Sequence, residues 1–410
     1  MKPKFTSEFF AGNRERLRQL FTGTAPIVVT ANGLLQRGGD SSYPFQQDAT
    51  FWYLTGIEDP DIVLVIDKAK EYLIVPSRGT TRIAFDGSVD AAELTRISGV
   101  QTVVDDKEGW HLLEARLRRA KHVATLSPPP AYIEEHGLYT NPARAQLVNR
   151  IKMSDDSIEL LDLSQHVALL RVVKQPEELV AIQAAIDITI DTLKDITRPS
   201  ELAKYAYEYE VEADLSRGFR RRGASGHSFE PIVAGGARAC TLHNVANDGP
   251  LSSDELLLLD VGAEVSHYAA DITRTVSLGT PSRRQQAVYN AVLEVQEFAF
   301  TLMQPGALIR DNEQKIEQFM GEKLRELGLI KNIEHDEVRR YYPHATSHFL
   351  GLNVHDIGDY SRPLEPGVVL TVEPGIYIAD EGIGIRIEDD VLITPNGHQI
   401  LTARLPRHLG

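Results

Sequence analysis

In the second half of the chain, short apolar runs end on acids. Leu256–Leu259 is an unbroken run of leucines that stops at Asp260, followed by Val261 and Gly262. Such a run has no polar face, so it reads as a strand buried on both sides. A carboxylate at the end of a buried strand needs a partner. Eleven residues on, YAADITRT sets Asp271 on a strand whose alternate positions Asp271, Thr273, Thr275 and Ser277 share a polar face. Ile272, Val276 and Leu278 make the other face mostly apolar. Val368–Val372 leads into Glu373-Pro374-Gly375, and Ile383–Ile387 leads into Glu388-Asp389-Asp390. Either aspartate alone reads more simply as a surface residue on a half-solvated strand, because most aspartates are exposed. Four strand-associated acids ask for more. If Asp260, Asp271, Glu373 and Glu388 converge, pairs at about 4 Å repel by roughly 4 kcal/mol each at an effective dielectric of about 20. Protons or cations must then accompany them, and two divalent ions would offset the four charges.

Histidine is the remaining candidate ligand. SHFLGLNVHD, Ser347–Asp356, holds His348 and His355, and His344 stands four residues before His348. A lone histidine is more often a surface or satisfied core residue. Three within twelve positions favour a site.

The rest of the chain supplies the scaffold. Across the first 160 residues, strand-like Pro26–Ala31, Ile62–Ile66 and Tyr72–Val75 alternate with helical patterns from Glu93 and Glu108 onward. This predicts an α/β domain over residues 1–164. Leu179, Ile182, Ile186, Ile190 and Leu193 then recur at helical spacing over Glu177–Lys194, with Pro176 and two glutamates suited to the first turn. Further helical patterns over Arg283–Met303 and Asp311–Leu327 alternate with the acid-tipped strands, so residues 165–410 read as an α+β domain.

Charge narrows the partners. Lys+Arg 43 against Asp+Glu 58 gives −15, which repels phosphate backbones and anionic lipid, so nucleic acid is not expected. No run of about 18 apolar residues occurs, and no membrane span is expected. Cys240 is the single cysteine and cannot form an intrachain disulfide, and charges interrupt the N-terminal MKPKFTSEFFAGNRERLRQLF where a signal peptide needs an apolar core. A cytoplasmic protein is expected.

LLLLDVG, YAADITRT, SHFLGLNVHD, LTVEPGIY and GIGIRIEDD, in this order and spacing, resemble the metal-dependent peptidases of the pita-bread fold, most closely the Xaa-Pro aminopeptidases (aminopeptidase P). FWYLTG, Phe51–Gly56, resembles a block of that family's smaller N-terminal domain. The implied fold is an α/β N-terminal domain followed by an α+β pita-bread catalytic domain. The implied reaction is hydrolysis of an N-terminal Xaa-Pro bond by hydroxide activated at a dinuclear metal site. The resemblance makes Asp260 a ligand of one ion and Asp271 and Glu388 bridges between two, with His348 and Glu373 completing the set. An oxygen-rich site with one imidazole suits Mn²⁺, with Zn²⁺ and Co²⁺ as alternatives. Glu373 would shuttle a proton to the leaving nitrogen, and His355 would hydrogen-bond the oxyanion or the substrate carbonyl. His243 and His344 would border the proline pocket, and Tyr377 would line the S1′ side. Arg386 shares a strand face with Glu388 and would brace the site or bind substrate; His243 and Arg386 join Glu373 and His355 in the catalytic set. The implied partners are peptides with proline in second position and further copies of the chain, as a dimer or tetramer.

Two features depart from the family pattern. Asn244 follows His243 where an aromatic is common, and RIAFDG, Arg82–Gly87, has Ala84 where bacterial members commonly carry Trp. Two other readings compete. A prolidase would use the same metal core on Xaa-Pro dipeptides only, and a non-catalytic pita-bread module would bind a partner without chemistry. A creatinase-type hydrolase lacks the ligands that this sequence retains. Gly223-Ala224-Ser225-Gly226-His227 misses the spacing of a serine nucleophile elbow, and the Gly-rich pieces lack the Lys-Ser/Thr of a phosphate loop.

Overall fold

The computed structural model describes residues 4–68, 70–128 and 137–409. Two compact units emerge, Phe5–Leu170 and Arg171 onward. The division falls inside the Ser164–Val172 helix, which begins beside the boundary expected near residue 165.

The first unit is built on a six-stranded sheet. Its order is Val103–Asp105, Lys70–Val75, Val63–Asp67, Ile27–Thr30, His122–Thr125, Glu159–Asp162. Only Val63–Asp67 runs antiparallel to its neighbours. The β-branched runs seen in the sequence therefore become the central strands, where both faces are covered. Helix Asp106–Ala120 starts where the Asp105 carboxylate accepts from Glu108 N at 2.8 Å. It buries Trp110, Leu113 and Leu117 in one cluster with Val28, Val63, Val65, Ile74 and Val123. The first five residues of FWYLTG lie on helix Ala49–Thr55, capped by Asp48 accepting from Thr50 N and Phe51 N at 3.0 and 2.9 Å, and Gly56 is its left-handed C-cap. Buried Arg14 donates to the carbonyls of Leu54 and Ser98 at 2.7 and 2.9 Å and pairs with Glu71 at 2.8 Å. Its charge and its donors are thus matched inside the unit.

The second unit places antiparallel strands against long helices. Ile232–Gly235, Leu256–Val261 and Ile272–Ser277 form one sheet, with Asp260 opposite Thr273. Val369–Val372, Asp389–Thr394 and Gly397–Ile400 form another, and Gly375–Ile378 pairs with Ile383–Arg386. Helix Pro176–Ile196 has Pro at its first turn, and the Glu178 carboxylate accepts from Gln175 N at 2.9 Å. Helices Arg283–Leu302 and Ile309–Glu326 bury Val288, Val292, Val295, Ile316 and Met320 against Val369–Val372 and Ile383–Ile387 side chains. The acid-tipped strands are therefore pinned from behind by apolar packing. Among the described residues, no helix is long and apolar enough to cross a membrane.

Candidate metal centre

Every sequence-nominated acid lies at or just beyond a strand end in the second unit. Asp260 sits on Leu256–Val261, all of which is buried, and Asp271 immediately precedes Ile272–Ser277. Glu373 follows Val369–Val372, and Glu388 lies between Ile383–Arg386 and Asp389–Thr394. His348 reaches the same place from the loop beside Thr371, whose N–H donates to the His348 carbonyl at 3.0 Å.

Their side chains meet. Asp271, His348 and Glu388 each bring a ligand atom within 4.8 Å of the others. His348 Nε2 is 3.4 Å from Asp271 Oδ2 and 3.3 Å from Glu373 Oε1. Asp260 Oδ2 takes Arg386 Nη2 at 2.5 Å, which leaves Asp260 Oδ1 buried with no hydrogen-bond partner. Glu388 divides its carboxylate in the same way, with Oε2 accepting from Thr273 Oγ1 at 2.6 Å and Oε1 buried without a partner. Buried carboxylate oxygens left without donors, on acids crowded around one imidazole, fit divalent cations well.

The electrostatics agree. Burial, with Asp260, Asp390 and Glu373 adding repulsion, raises the Asp271 carboxyl well above the usual range. Burial, then Asp271, Glu373 and Asp260, does the same to Glu388. Burial lifts Glu373 to about 7, with His348 and Arg386 restraining the rise. Without cations the cluster therefore holds protons at neutral pH.

The remaining nominated residues lie on the same unit. His355 packs on His348 with ring centroids 4.2 Å apart. Burial, then the charges of His348 and His243, lowers its pKa to about 4. His344 Nε2 meets the Tyr377 hydroxyl at 2.8 Å, and Arg386 Nη1 donates to that hydroxyl at 2.7 Å. Asp260, Arg386, Tyr377 and His344 thus form one continuous chain of hydrogen bonds. Burial, then the Arg386 charge, holds His344 at about 3. His243 is exposed in the loop after Gly236–Cys240, and Asn244 Nδ2 reaches the Val233 carbonyl at 3.5 Å. Cys240 is half-buried, and burial pushes its thiol up, away from nucleophilic character.

Residues 180–395 match Metallopeptidase family M24, and residues 10–124 match Aminopeptidase P, N-terminal domain. The chain belongs to metallopeptidase family M24. It is 33% identical to the Xaa-Pro aminopeptidase of Haemophilus influenzae, covering 99% of this chain and 96% of that one. It is also 33% identical to Xaa-Pro aminopeptidase 3 of Homo sapiens over 93% of this chain and 79% of the relative. Aminopeptidase P from Escherichia coli with the inhibitor Pro-Leu superposes with a TM-score of 0.85 at 31% identity, covering 99% and 97% of the two chains. A zinc-substituted form of that enzyme with product gives 0.86 at 30% identity, with the same coverages. The expected pita-bread architecture with its smaller N-terminal domain is therefore present, and this M24 chain is a peptidase.

Several residues around the M24 centre escaped the sequence reading. Thr273 and Thr275 stood on a face that looked half-solvated, yet both are fully buried. Thr273 holds Glu388, and the Thr275 hydroxyl donates to the Arg386 carbonyl at 3.0 Å. Thr371 Oγ1 accepts from His348 N and donates to Glu373 Oε1, both at 3.2 Å. Asp390 Oδ2 accepts from Asp271 N at 3.2 Å. Arg274, on the nominally apolar face of its strand, is buried against Asp389 at 2.6 Å. Gln296 reaches the strand ends from the helix behind them. The signal for Gln296 was present: a polar residue amid the apolar stripe of Val288, Val292, Val295 and Ala299.

Proposed function

We propose that the protein removes the first residue from peptides with proline in second position, as a Xaa-Pro aminopeptidase with two divalent ions, Mn²⁺ in the working enzyme. The convergence of Asp271, His348 and Glu388 ligand atoms within 4.8 Å carries this reading. Asp260 and Glu373 complete the ligand set. The bound ions would supply Lewis acidity to the scissile carbonyl and acidify the attacking water.

The chain's own groups do the rest. Glu373, which the Thr371 hydroxyl holds at 3.2 Å beside His348, would pass a proton from the attacking water to the leaving imide nitrogen. His355 stays neutral at physiological pH and offers one ring N–H to the substrate carbonyl oxygen as charge develops there. His344 and Tyr377, held by Arg386, border the proline side, with His243 at the exposed edge. Proline's imide nitrogen has no hydrogen, so a peptidase that relies on that donor loses its contact. A carbonyl-centred site needs none. The reading also takes the enzyme as a cytoplasmic homo-oligomer; the lone Cys240 supports the location and the family likeness supports the assembly, which light scattering measures directly.

The deciding experiment loads the protein with Mn²⁺ and compares Xaa-Pro-Yaa, Xaa-Ala-Yaa and Xaa-Pro. Release of the first residue from Xaa-Pro-Yaa, with Xaa-Ala-Yaa much poorer, is expected. Hydrolysis of the dipeptide alone would make it a prolidase. No turnover at full metal occupancy would leave a binding module.

A further inference from the structure

We propose that Gln296 is a positioning residue for Glu373 and Glu388: its buried amide grips the peptide carbonyls immediately before both and fixes the spacing of the two carboxylates. The inference rests on reading Glu373 and Glu388 as metal ligands.

The two acids face each other across a break in strand pairing. Val372 pairs with Asp389 on one side of the break, and Gly375 pairs with Arg386 on the other. Between these rungs the ligand amides turn outward, Glu373 N to the Thr346 carbonyl at 2.9 Å and Glu388 N to the Thr273 carbonyl at 3.1 Å. Across the gap the remaining main-chain link is Ile387 N to the Pro374 carbonyl at 3.3 Å, a long bond. Beyond the Val372–Asp389 rung, ladder hydrogen bonds therefore add only this one long contact between the segments that carry Glu373 and Glu388.

Gln296 enters this break from helix Arg283–Leu302, fully buried. The two Nε2 hydrogens are shared among three acceptors, the Val372 carbonyl at 3.1 Å, the Ile387 carbonyl at 3.1 Å and Asp389 Oδ2 at 2.9 Å. One NH₂ group thus ties the residue before Glu373 to the residues on both sides of Glu388. Its own orientation is fixed, since Oε1 accepts from Arg407 Nη1 at 3.0 Å. Asp389 is fixed too, by Arg274 Nη2 at 2.6 Å and Thr402 Oγ1 at 2.5 Å. Arg274 Nη1 in turn donates to the Glu388 carbonyl at 2.6 Å. Apolar packing alone would fill the volume of Gln296 equally well, and methionine is close to it in shape. What methionine lacks is the donor pair that two buried carbonyls need.

Gln296→Met tests the assignment, with Mn²⁺ affinity and stoichiometry measured by calorimetry at 25 °C and the melting temperature of the chelated protein measured alongside. Loss of a group that orients ligands is expected to weaken Mn²⁺ binding by about 10- to 100-fold while the chelated protein is still folded at the assay temperature. A lower melting temperature with unchanged Mn²⁺ affinity would make Gln296 a structural residue only and overturn the inference. Wild-type protein that binds no Mn²⁺ would overturn the ligand reading itself, a separate result. If Gln296→Met does not accumulate as folded protein, Arg407→Met carries the test, because it frees Oε1 and leaves the amide in place. Measurably weaker Mn²⁺ binding is then expected, and unchanged binding counts against the proposal.

Discussion

Arg14 in the first unit and Asp271 in the second are both buried charges, and the two units treat them in opposite ways. Arg14 meets two carbonyls and a carboxylate, so its charge and its donors are matched locally. Asp271 lies among Asp260, Asp390, Glu373 and Glu388, and Asp260 Oδ1 and Glu388 Oε1 are buried without hydrogen-bond partners. The first arrangement holds a fold together. The second is completed only by something the chain does not encode. Buried charge matched partner for partner thus marks scaffold, and a buried excess of acids that Arg386 offsets only in part marks chemistry.

The contrast breaks if removing an unmatched acid leaves activity intact. Asp271→Ala is expected to lose Mn²⁺ and bring peptide hydrolysis to background, as chelation does to the wild type; elemental analysis and a cleavage assay check both. Neighbouring histidines sharpen it next. His348→Ala should lose metal and melting temperature together, because bound metal stabilises the folded state. His355→Ala should keep its metal and lose about 10²-fold in kcat with a smaller change in KM, as when one donor to a developing oxyanion is removed. His398, stacked on Phe300 and outside the five sequence blocks, is the control. Equal metal loss at His348 and His355 would show that the division of work between them is wrong.

The matched side has its own test. Arg14→Met strands the Leu54 and Ser98 carbonyls and should cost about 2–4 kcal/mol of unfolding free energy by denaturant titration, with metal content and kcat per folded molecule unchanged. The smallest effect is a pH slope. In chelated protein Glu373 sits at about 7, and Asp271 and Glu388 are also raised, against unfolded values of about 4. The folded state then binds more protons, so this stabilisation is full below the unfolded values and is lost as pH rises through the folded ones. His344 and His355 act in the opposite sense, but only below the ordinary histidine value of 6.5. Between pH of about 6.5 and 8, therefore, the melting temperature of the chelated protein should fall as pH rises, and Mn²⁺ should remove that slope.

The sequence made Asp260, Glu373 and Glu388 legible because mostly apolar runs end at each of them, whereas Asp271 opens a strand with one polar face. Helix Pro176–Ile196 was equally plain from its periodicity and its proline. Thr273 was visible but misplaced, since a polar strand face looks the same whether water or buried carboxylates cover it. Gln296 was hidden for a different reason. Periodicity puts it on the inner face of its helix, yet nothing local says that the inner face meets a break in a sheet more than 70 residues on, at Val372. Partners brought together by topology leave little trace in a local pattern.

The bare α-carbon of Gly262, two residues after Asp260, lets two stretches of backbone pass close together. A Cβ on Gly262 would lie 1.7 Å from the Ala270 carbonyl oxygen and 2.4 Å from Ser228 Oγ. No rotamer relieves that overlap, because the nearest atom is main chain. The peptide that would have to give way joins Ala270 to Asp271, so the mildest exchange in the genetic alphabet would push Asp271 away from Asp260. Tolerance to variation here follows the distance between two pieces of backbone rather than the reactivity of any side chain. A residue with no chemistry of its own therefore limits which exchanges this part of the backbone can accept.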